Sequence, residues 1–462
     1  MTKTTDLTEG KASKTLLAFY FPMLFTNLLQ QIYTFADAAI VGKALGDNAL
    51  AAVGNMSAPI LLIIGFVQGI TNGFSVIIAQ CCGSGNKASV RRAVAASVSL
   101  SAALSLPITV ISLLFLKKML IFMHTEPSIL GDSLTYGYII FGGVIITMAY
   151  NLCSCILRAM GDSKTPFIAI IVSSALNIFL DCLFIFLFKT GVGGTAAATV
   201  AAQAVSVIIC ISRFFGSDDL RLCRKDFKDN FAMYRALLKN GIPMACMNSV
   251  TAAGCIPVQS QINALGAVYT SAYSVGSKYI NLFMLPSVTA GFAVTAFTGQ
   301  NMGAKHYSRI KDGVHTGAAI AIVSYILLGT AMVFFPEPLA KIMLNGQETV
   351  VLAAGFLRIC GKGFIILNML FIFRSTVQGM GKPIIPMLSG FVEMALRIAV
   401  IFLFIPKIGF SAAAYAEIVA WTGALILNFA TQQRIEMLWG NIKVSDDIVS
   451  QFIKNADKQK FK

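Results

Sequence analysis

Two carboxylates in apolar stretches are the residues of this chain best placed to do chemistry. Asp37 lies in QQIYTFADAAIVG, without a basic residue, and Asp181 lies in SALNIFLDCLFIF. A charge at the centre of a bilayer costs roughly 2.5 to 3.5 kcal/mol, so such residues usually face a cavity and carry function. Asn177 lies four residues before Asp181, hence on the same helix face. Together they offer a carboxylate and a neutral amide oxygen to a small cation.

A second set of polar residues lies in the later part of the chain. Glu393 and Arg397 are spaced i, i+4 and either neutralise each other or contact a substrate. Glu417 is open to the same two interpretations, and Lys278 can meet an anionic substrate group or compensate an acid. Met284 is a candidate for an adaptable pocket, because thioethers repack around varied ligands. We therefore expect these five residues near a substrate cavity.

Membrane spans are the elements that must position these residues. Of 462 residues, 56% are hydrophobic and only 12% are charged, whereas a soluble domain carries about 25% charged residues. Several uncharged stretches exceed the roughly 20 residues that a spanning helix needs. Neither the alternation of a membrane β-barrel nor a signal peptide fits the sequence. The pattern predicts an all-α membrane protein with twelve transmembrane helices, near 15–42, 48–80, 93–117, 131–156, 166–188, 194–213, 237–262, 271–299, 313–335, 350–374, 384–406 and 411–433.

An internal repeat divides these helices into two sets of six. Motifs recur at offsets of 220 or 221 residues: FPM at Phe21 as IPM at Ile242, ALG at Ala44 and Ala264, QCCG at Gln80 as QNMG at Gln300. We expect an N-lobe over 15–213, a linker over 214–236 and a C-lobe over 237–435, with tails at 1–14 and 436–462. Two copies with an even number of spans share one orientation, which is a transporter architecture with sites near the midplane.

The repeat also serves as an internal control on the carboxylates. At an offset of 220, Asn177 and Asp181 correspond to Arg397 and Ile401, and Asp37 corresponds to Pro257. Acids that served packing common to both halves would leave a trace in the second copy. The sequence therefore predicts an ion site confined to the first half.

The distribution of basic residues predicts the orientation. With both termini in the cytoplasm, the inner segments hold 26 Lys and Arg residues and the outer segments hold 6. This asymmetry follows the positive-inside rule, so the net charge of +15 requires no nucleic-acid partner. We expect a multi-pass protein of the cell membrane, a monomer whose partners are drug-like small molecules and the lipid bilayer.

With this repeat, the stretch FPMLFTNLLQQIYTFADAAIVGKALGDNALAAVG and the later ALNIFLD, the chain resembles the multidrug and toxic compound extrusion (MATE) family. The resemblance covers residues 15 to 435. It implies a V-shaped exporter, not an enzyme, that expels lipophilic, often cationic compounds in exchange for Na+ or H+. That coupling ion is the only cofactor expected.

One branch of the family carries its cation site in the N-terminal lobe, and the resemblance transfers that site to this chain. The implied cation-coupling residues are Asp37, Asn177, Asp181, Thr199 and Asn151, the surrounding network Tyr33, Gln30 and Tyr136, and the hinge Pro22. Na+ would bind at Asp37, Asn177, Asp181 and Thr199, although proton uptake by either aspartate fits equally. Other branches place acids in the seventh and tenth helices, which here contain none.

Two other functions compete with drug export. A flippase for a lipid-linked saccharide shares the repeat, and its pyrophosphate cargo would need basic residues, which the second half offers at Lys278, Arg358, Lys362 and Arg397. A membrane-bound transferase would need paired acids at a surface. The adjacent acidic pairs of this chain lie in the polar linker and tail, where solvated charge explains them.

Overall fold

Long helices make up nearly all of the structure, which is a computed structural model. It describes residues 5–123, 125–215, 221–228 and 230–459, with residues 215 and 438–459 as backbone alone. Parts of the expected tails and of the expected linker lie outside these ranges. The described residues contain no β-strand.

The first half of the chain forms six spans. They are Ala12–Leu45 (span 1), Asp47–Asn55 with Ser57–Gly83 (span 2), Lys87–Phe122 (span 3), Pro127–Gly142 with Val144–Ala159 (span 4), Lys164–Cys182 continuing as the π-helix Leu183–Leu187 (span 5), and Gly191–Phe215 (span 6).

The second half repeats this order. Its spans are Phe231–Leu265 (span 7), Ala267–Phe283 with Leu285–Gly303 (span 8), Tyr307–Ser324 with Tyr325–Gly329 and Thr330–Phe334 (span 9), Gln347–Gly379 (span 10), Ile384–Ile408 (span 11) and Ser411–Gln459 (span 12). Two short helices, Arg224–Phe227 and Pro336–Met343, lie in the connections.

The twelve predicted transmembrane helices are confirmed. Among the described residues nine helices are long and apolar enough to cross a bilayer, and two bent pairs, spans 4 and 8, add two more crossings. Span 1 is the twelfth. Its 34 residues extend about 50 Å, although Asn27, Gln30 and Asp37 lower its mean hydropathy.

Several helices extend beyond their predicted ends. Span 10 was expected to end at 374 and continues to Gly379, and span 12 continues to Gln459 through the segment expected as a tail. The apolar pattern marks only the part of a helix that lies in hydrocarbon. A helix continues into polar residues until a glycine, a proline or an alternative hydrogen-bond partner ends it.

The backbone of the two halves repeats as the sequence does. Residues with positive φ end corresponding helices at the 220-residue offset: Gly46 and Gly266, Gly85 and Lys305, Gly161 and Gly381. Glycine adopts this conformation without steric cost, which explains five of these six positions.

Three hydrophobic clusters form the core, and span 1 packs against both halves of the molecule. One cluster lies around Phe74 and Phe141 in the first half and extends to Leu237 and Ala245 of span 7, and a second lies within the second half around Phe356 and Phe364. The third joins residues 7–23 to spans 8, 9 and 10 of the second half. Further along, span 1 packs against span 5 of the first half. Pro22 therefore lies where span 1 passes from one half to the other.

The two halves meet closely at the membrane face that carries the N terminus. A Cβ on Gly83 would lie 1.7 Å from the carbonyl oxygen of Gln300, and one on Gly303 would lie 1.9 Å from that of Gln80. Such close backbone approach is what small residues permit between membrane helices. The Gln300 side chain accepts from Leu7 N at 3.1 Å and donates to Ala159 O at 2.7 Å. We call this contact region, with residues 5–10, the N-terminal closure.

Candidate functional site

The carboxyl groups of Asp37 and Asp181 are neighbours. Spans 1 and 5 pack side by side, which brings the two groups close enough to interact directly. Asp181 is 0% exposed and Asp37 is half-buried. Both oxygens of Asp181 and Oδ1 of Asp37 are buried without a hydrogen-bond partner among the described residues. Buried acceptors in native proteins nearly always have partners, so this cluster points to a bound species.

Two neutral side chains extend the cluster along spans 5 and 6. Asn177 Nδ2 donates to Thr199 Oγ1 at 3.5 Å, and the Thr199 hydroxyl donates to Thr195 O at 3.0 Å. Asn177 Oδ1 is buried and has no described partner. The carboxylates, this amide oxygen and the Thr199 hydroxyl form an all-oxygen set, which suits a hard monovalent cation.

Two tyrosines of the expected network face the carboxylates. Tyr33 lies near Asp37 on span 1, and Tyr136 on span 4 lies near both Asp37 and Asp181. Gln30, one turn before Tyr33, lines the cavity that also contains Asn177 and Thr199. The cavity is thus lined by spans 1, 4, 5 and 6, and the two carboxylates lie one helical turn beyond its residues Tyr33 and Asn177.

Five polar residues that line this cavity were not predicted: Tyr150, Ser173, Ser174, Gln203 and Ser206. A signal for three of them exists in the sequence. Ser173 and Ser174 precede Asn177 by four and three residues, and Gln203 follows Thr199 by four, so they share a helix face with predicted residues.

Asn151 and Pro22 are not among the residues that line the cavity. The described hydrogen bond of Asn151 is to its own helix, from Nδ2 to Thr147 O at 2.9 Å. Thr147, rather than Asn151, connects span 4 to the cavity, because its hydroxyl donates to Gln203 Oε1 at 2.7 Å. Pro22 lies inside span 1, where its carbonyl accepts from the Thr26 hydroxyl at 2.7 Å.

The acidic and basic residues of the second half form a separate buried cluster. Arg397 donates to Glu393 at 3.0 Å and to Glu417 at 2.9 Å, and Arg374 donates to Glu393 at 2.7 Å. All four side chains are buried. We call them the ionic quartet. Arg374 was not predicted as a member, because the expected end of span 10 placed it in a connecting segment.

Lys278 and Met284 do not join the quartet. Lys278 is exposed on span 8 and has no ion pair with a described residue. Met284 is the residue at which span 8 breaks between Ala267–Phe283 and Leu285–Gly303, and it packs against the second-half core. The structure therefore separates the five residues expected near one substrate cavity.

The repeat relates the quartet to the first-half cavity. Ser173 and Asn177, which line that cavity, correspond to Glu393 and Arg397 at the 220-residue offset. The salt bridges of the quartet therefore lie at the positions in the second half that correspond to the polar cavity of the first half.

The sequence model of the MatE family matches residues 22–183 and again 243–403, once in each half. The chain belongs to the MATE family of transporters. The two matches begin 221 residues apart, in agreement with the repeat.

Relatives and solved structures extend this similarity over nearly the whole MATE chain. The probable multidrug resistance protein YoeA of Bacillus subtilis is 28% identical over 83% of this chain and 85% of its own. The probable multidrug resistance protein NorM of Thermotoga maritima is 24% identical over 82% and 83%. An outward-facing multidrug resistance MATE transporter of the MOP superfamily superposes with a TM-score of 0.88 at 20% identity, over 96% of this chain and 99% of the other.

Proposed function

We propose that this protein is a secondary active exporter of lipophilic, cationic compounds, driven by Na+ or H+ that binds in the first half. The observation that carries the proposal is the neighbouring pair Asp37 and Asp181, whose three buried, unpartnered oxygens lie one helical turn beyond the cavity that Asn177 lines. Relatives named as multidrug resistance proteins support export of drug-like compounds.

Electrostatics explains why the site would take up a positive species. Two carboxylates in a dry pocket repel each other and have lost their hydration, so both cannot stay bare anions without a large free-energy cost. A bound Na+ would be coordinated by the carboxylates, Asn177 and Thr199, whereas a proton would be held between the carboxylates. A membrane potential adds roughly 2.3 kcal/mol per charge per 100 mV to inward entry.

Span 1 supplies a direct link between this site and the access route. Its later part presents Asp37 to the first half, while its first turns pack on the second half together with Leu7. Neutralising Asp37 changes the forces on one segment of a helix whose other segment is held by the opposite half. Binding of the cation and binding of the cargo then weaken each other, because each favours a different relative position of the two halves, as linkage requires.

The distribution of basic residues supports a cytoplasmic location for the N-terminal closure and for both termini. In the V-shaped arrangement expected for this family, the cleft between the two halves would then open to the outside, on the membrane face opposite the closure. Release of cargo would occur from this arrangement, and opening of the closure would expose the cleft to the cytoplasm.

Asp37→Asn and Asp181→Asn test the proposal in proteoliposomes with Na+ and pH gradients imposed one at a time. Each change removes a carboxylate charge with little change in shape, and we expect efflux to fall at least about tenfold under the driving gradient. Asp312→Asn is the control, because Asp312 is exposed on span 9 of the second half. Full efflux by either variant at normal protein level would exclude that residue from coupling.

The flippase alternative finds less support in the second half. Arg397 and Arg374 are paired with Glu393 and Glu417 in the quartet, so the cluster offers no net positive charge to a pyrophosphate. The flippase alternative would be restored if the protein transported a lipid-linked saccharide and showed no dye efflux under either gradient.

A further inference from the structure

A second cavity lies between the two halves, directly beside the N-terminal closure. Spans 2 and 4 of the first half and spans 7, 8 and 10 of the second contribute to its wall. Its polar side chains are Asn72, Ser75, Arg158, Thr295 and Gln378, and its apolar ones include Met244 and Phe292. Ala159, next to Arg158, accepts the hydrogen bond from Gln300 that ties the halves together. The cavity is therefore the floor of the cleft, and we call it the floor pocket.

Arg158 is the one charged side chain of this pocket, and it lacks a counterion. Its described side-chain contact is from Nη2 to Cys155 Sγ at 3.3 Å, and Cys155 in turn donates to Asn72 Oδ1 at 3.2 Å. No carboxylate in the described part of the chain forms an ion pair with it, whereas Arg213, Arg374 and Arg397 each have one. A guanidinium offers five donors, and sulfur is a weak acceptor. A half-buried guanidinium with donors to spare is suited to an anionic ligand.

A purely structural role for Arg158 is the competing explanation. Arg158 lies in the last turn of span 4, where a positive charge interacts favourably with the helix C-terminus. A lysine would provide that interaction equally well, but it would not reproduce the planar, two-pronged contact with a carboxylate. The two explanations thus predict different behaviour for a conservative variant.

We propose that the floor pocket binds an anionic group of the cargo, a carboxylate or a group of similar shape, through Arg158. Asn72 and Gln378 flank the anion, and the apolar side chains of Met244 and Phe292 contact the atoms of the cargo next to it. The preferred cargo would then be a lipophilic compound that carries both a positive charge and an anionic group. This inference rests on the proposed function and specifies its substrate class.

Two dyes that differ in a single group provide the test. Rhodamine 110 has a free carboxylate, and rhodamine 123 is its methyl ester with the same cationic ring system. Efflux of each dye is measured for the wild type, Arg158→Gln and Arg158→Lys in proteoliposomes. Arg92→Gln is the matched control, because Arg92 is exposed on span 3 at the same membrane face.

We expect Arg158→Gln to raise KM for rhodamine 110 by about tenfold and to leave KM for rhodamine 123 within about twofold of the wild type. Arg158→Lys should recover only part of the loss, because it restores the charge without the paired donors. Arg92→Gln should change neither dye.

If Arg158→Gln raised KM for both dyes equally, or for neither, the proposal would be overturned. In both cases Arg158 would not distinguish a cargo with an anionic group from one without it. Fluorescence anisotropy measures binding of both dyes to the purified protein without any transport. If transport did not depend on a Na+ or pH gradient, but Arg158→Gln still bound rhodamine 110 more weakly than the wild type and rhodamine 123 equally well, the proposed export mechanism would be refuted. The floor pocket would still be supported. Equal binding of rhodamine 110 to wild type and Arg158→Gln would refute the pocket alone.

Discussion

Asn177 contributes a neutral oxygen that distinguishes an ion site from a mere pair of acids. Its Oδ1 is buried without a described partner, in the cavity next to the two carboxylates. We expect Asn177→Ala to raise the coupling-ion concentration for half-maximal efflux by about tenfold, because one oxygen ligand is lost. The measurement is efflux against the concentration of the driving ion.

Asn428 provides the matched control for that change. It is equally buried, its amide donates to Ala424 O at 2.8 Å, and its Oδ1 also lacks a described partner, but it lies on span 12 of the second half. Asn428→Ala should leave the ion dependence unchanged. An equal shift in both variants would mean that loss of a buried amide, and not loss of a ligand, produces the effect.

At the scale of single residues, the charged members of the site could be predicted from the sequence more readily than the neutral polar ones. Asp37 and Asp181 stand out because a carboxylate in an apolar stretch is costly and therefore rare. Gln203 and Ser174 line the same cavity, yet hydroxyl and amide side chains are common in transmembrane helices, where they bond to the backbone of their own helix. Only their helical spacing from Asn177 and Thr199 points to the site.

The ionic quartet acts at the scale of elements, because it joins spans 10, 11 and 12. Arg397 is 3% exposed and contacts Glu393 and Glu417. Removing one partner of a buried ion pair typically costs about 3 to 5 kcal/mol, since the remaining charge is left uncompensated. We expect Arg397→Met to lower the Tm of the purified protein by several degrees, and the exposed Lys407→Met on the same helix to leave it unchanged.

A compensating change sharpens this prediction. Arg397→Met combined with Glu417→Gln removes one charge of each sign, so the double variant should be more stable than the sum of the two single effects. Additive losses would show that the two side chains do not interact across spans 11 and 12.

The number and order of helices could be predicted from the sequence, whereas their interruptions could not. Span 8 breaks at Met284 by 40°, and span 5 ends in a π-helix at Leu183–Leu187. Hydropathy records neither change: Pro286 near the start of the second helix of span 8 marks that break by its chemistry, and the apolar run LFIFL gives no sign of the π-helix. Neighbouring helices decide such bends through packing and through alternative hydrogen bonds.

At the scale of the whole molecule, the N-terminal closure holds the two halves together at one membrane face. Arg309 Nη2 donates to Leu7 O at 3.1 Å and Glu9 O at 3.0 Å, and Nε donates to Asn301 Oδ1 at 3.1 Å. We expect Arg309→Gln to accelerate amide hydrogen exchange in residues 5–10 by about tenfold, because these bonds are lost. Lys382→Gln, exposed at the same face, is the control. Unchanged exchange in Arg309→Gln would show that the remaining contacts, such as Thr5 N to Gly161 O and Asn301 Nδ2 to Leu7 O, hold the segment without Arg309.

Residues 5–10 lie where the two halves converge, with the side chain of Leu7 0% exposed among spans 8 and 9. A purification tag or reporter domain attached directly ahead of Thr5 would therefore crowd the junction that, in the proposed mechanism, separates and closes in each turnover. Handles for immobilisation or labelling belong elsewhere on this transporter. A small fluorophore on the exposed Glu9 would, by contrast, sense every separation of the two halves.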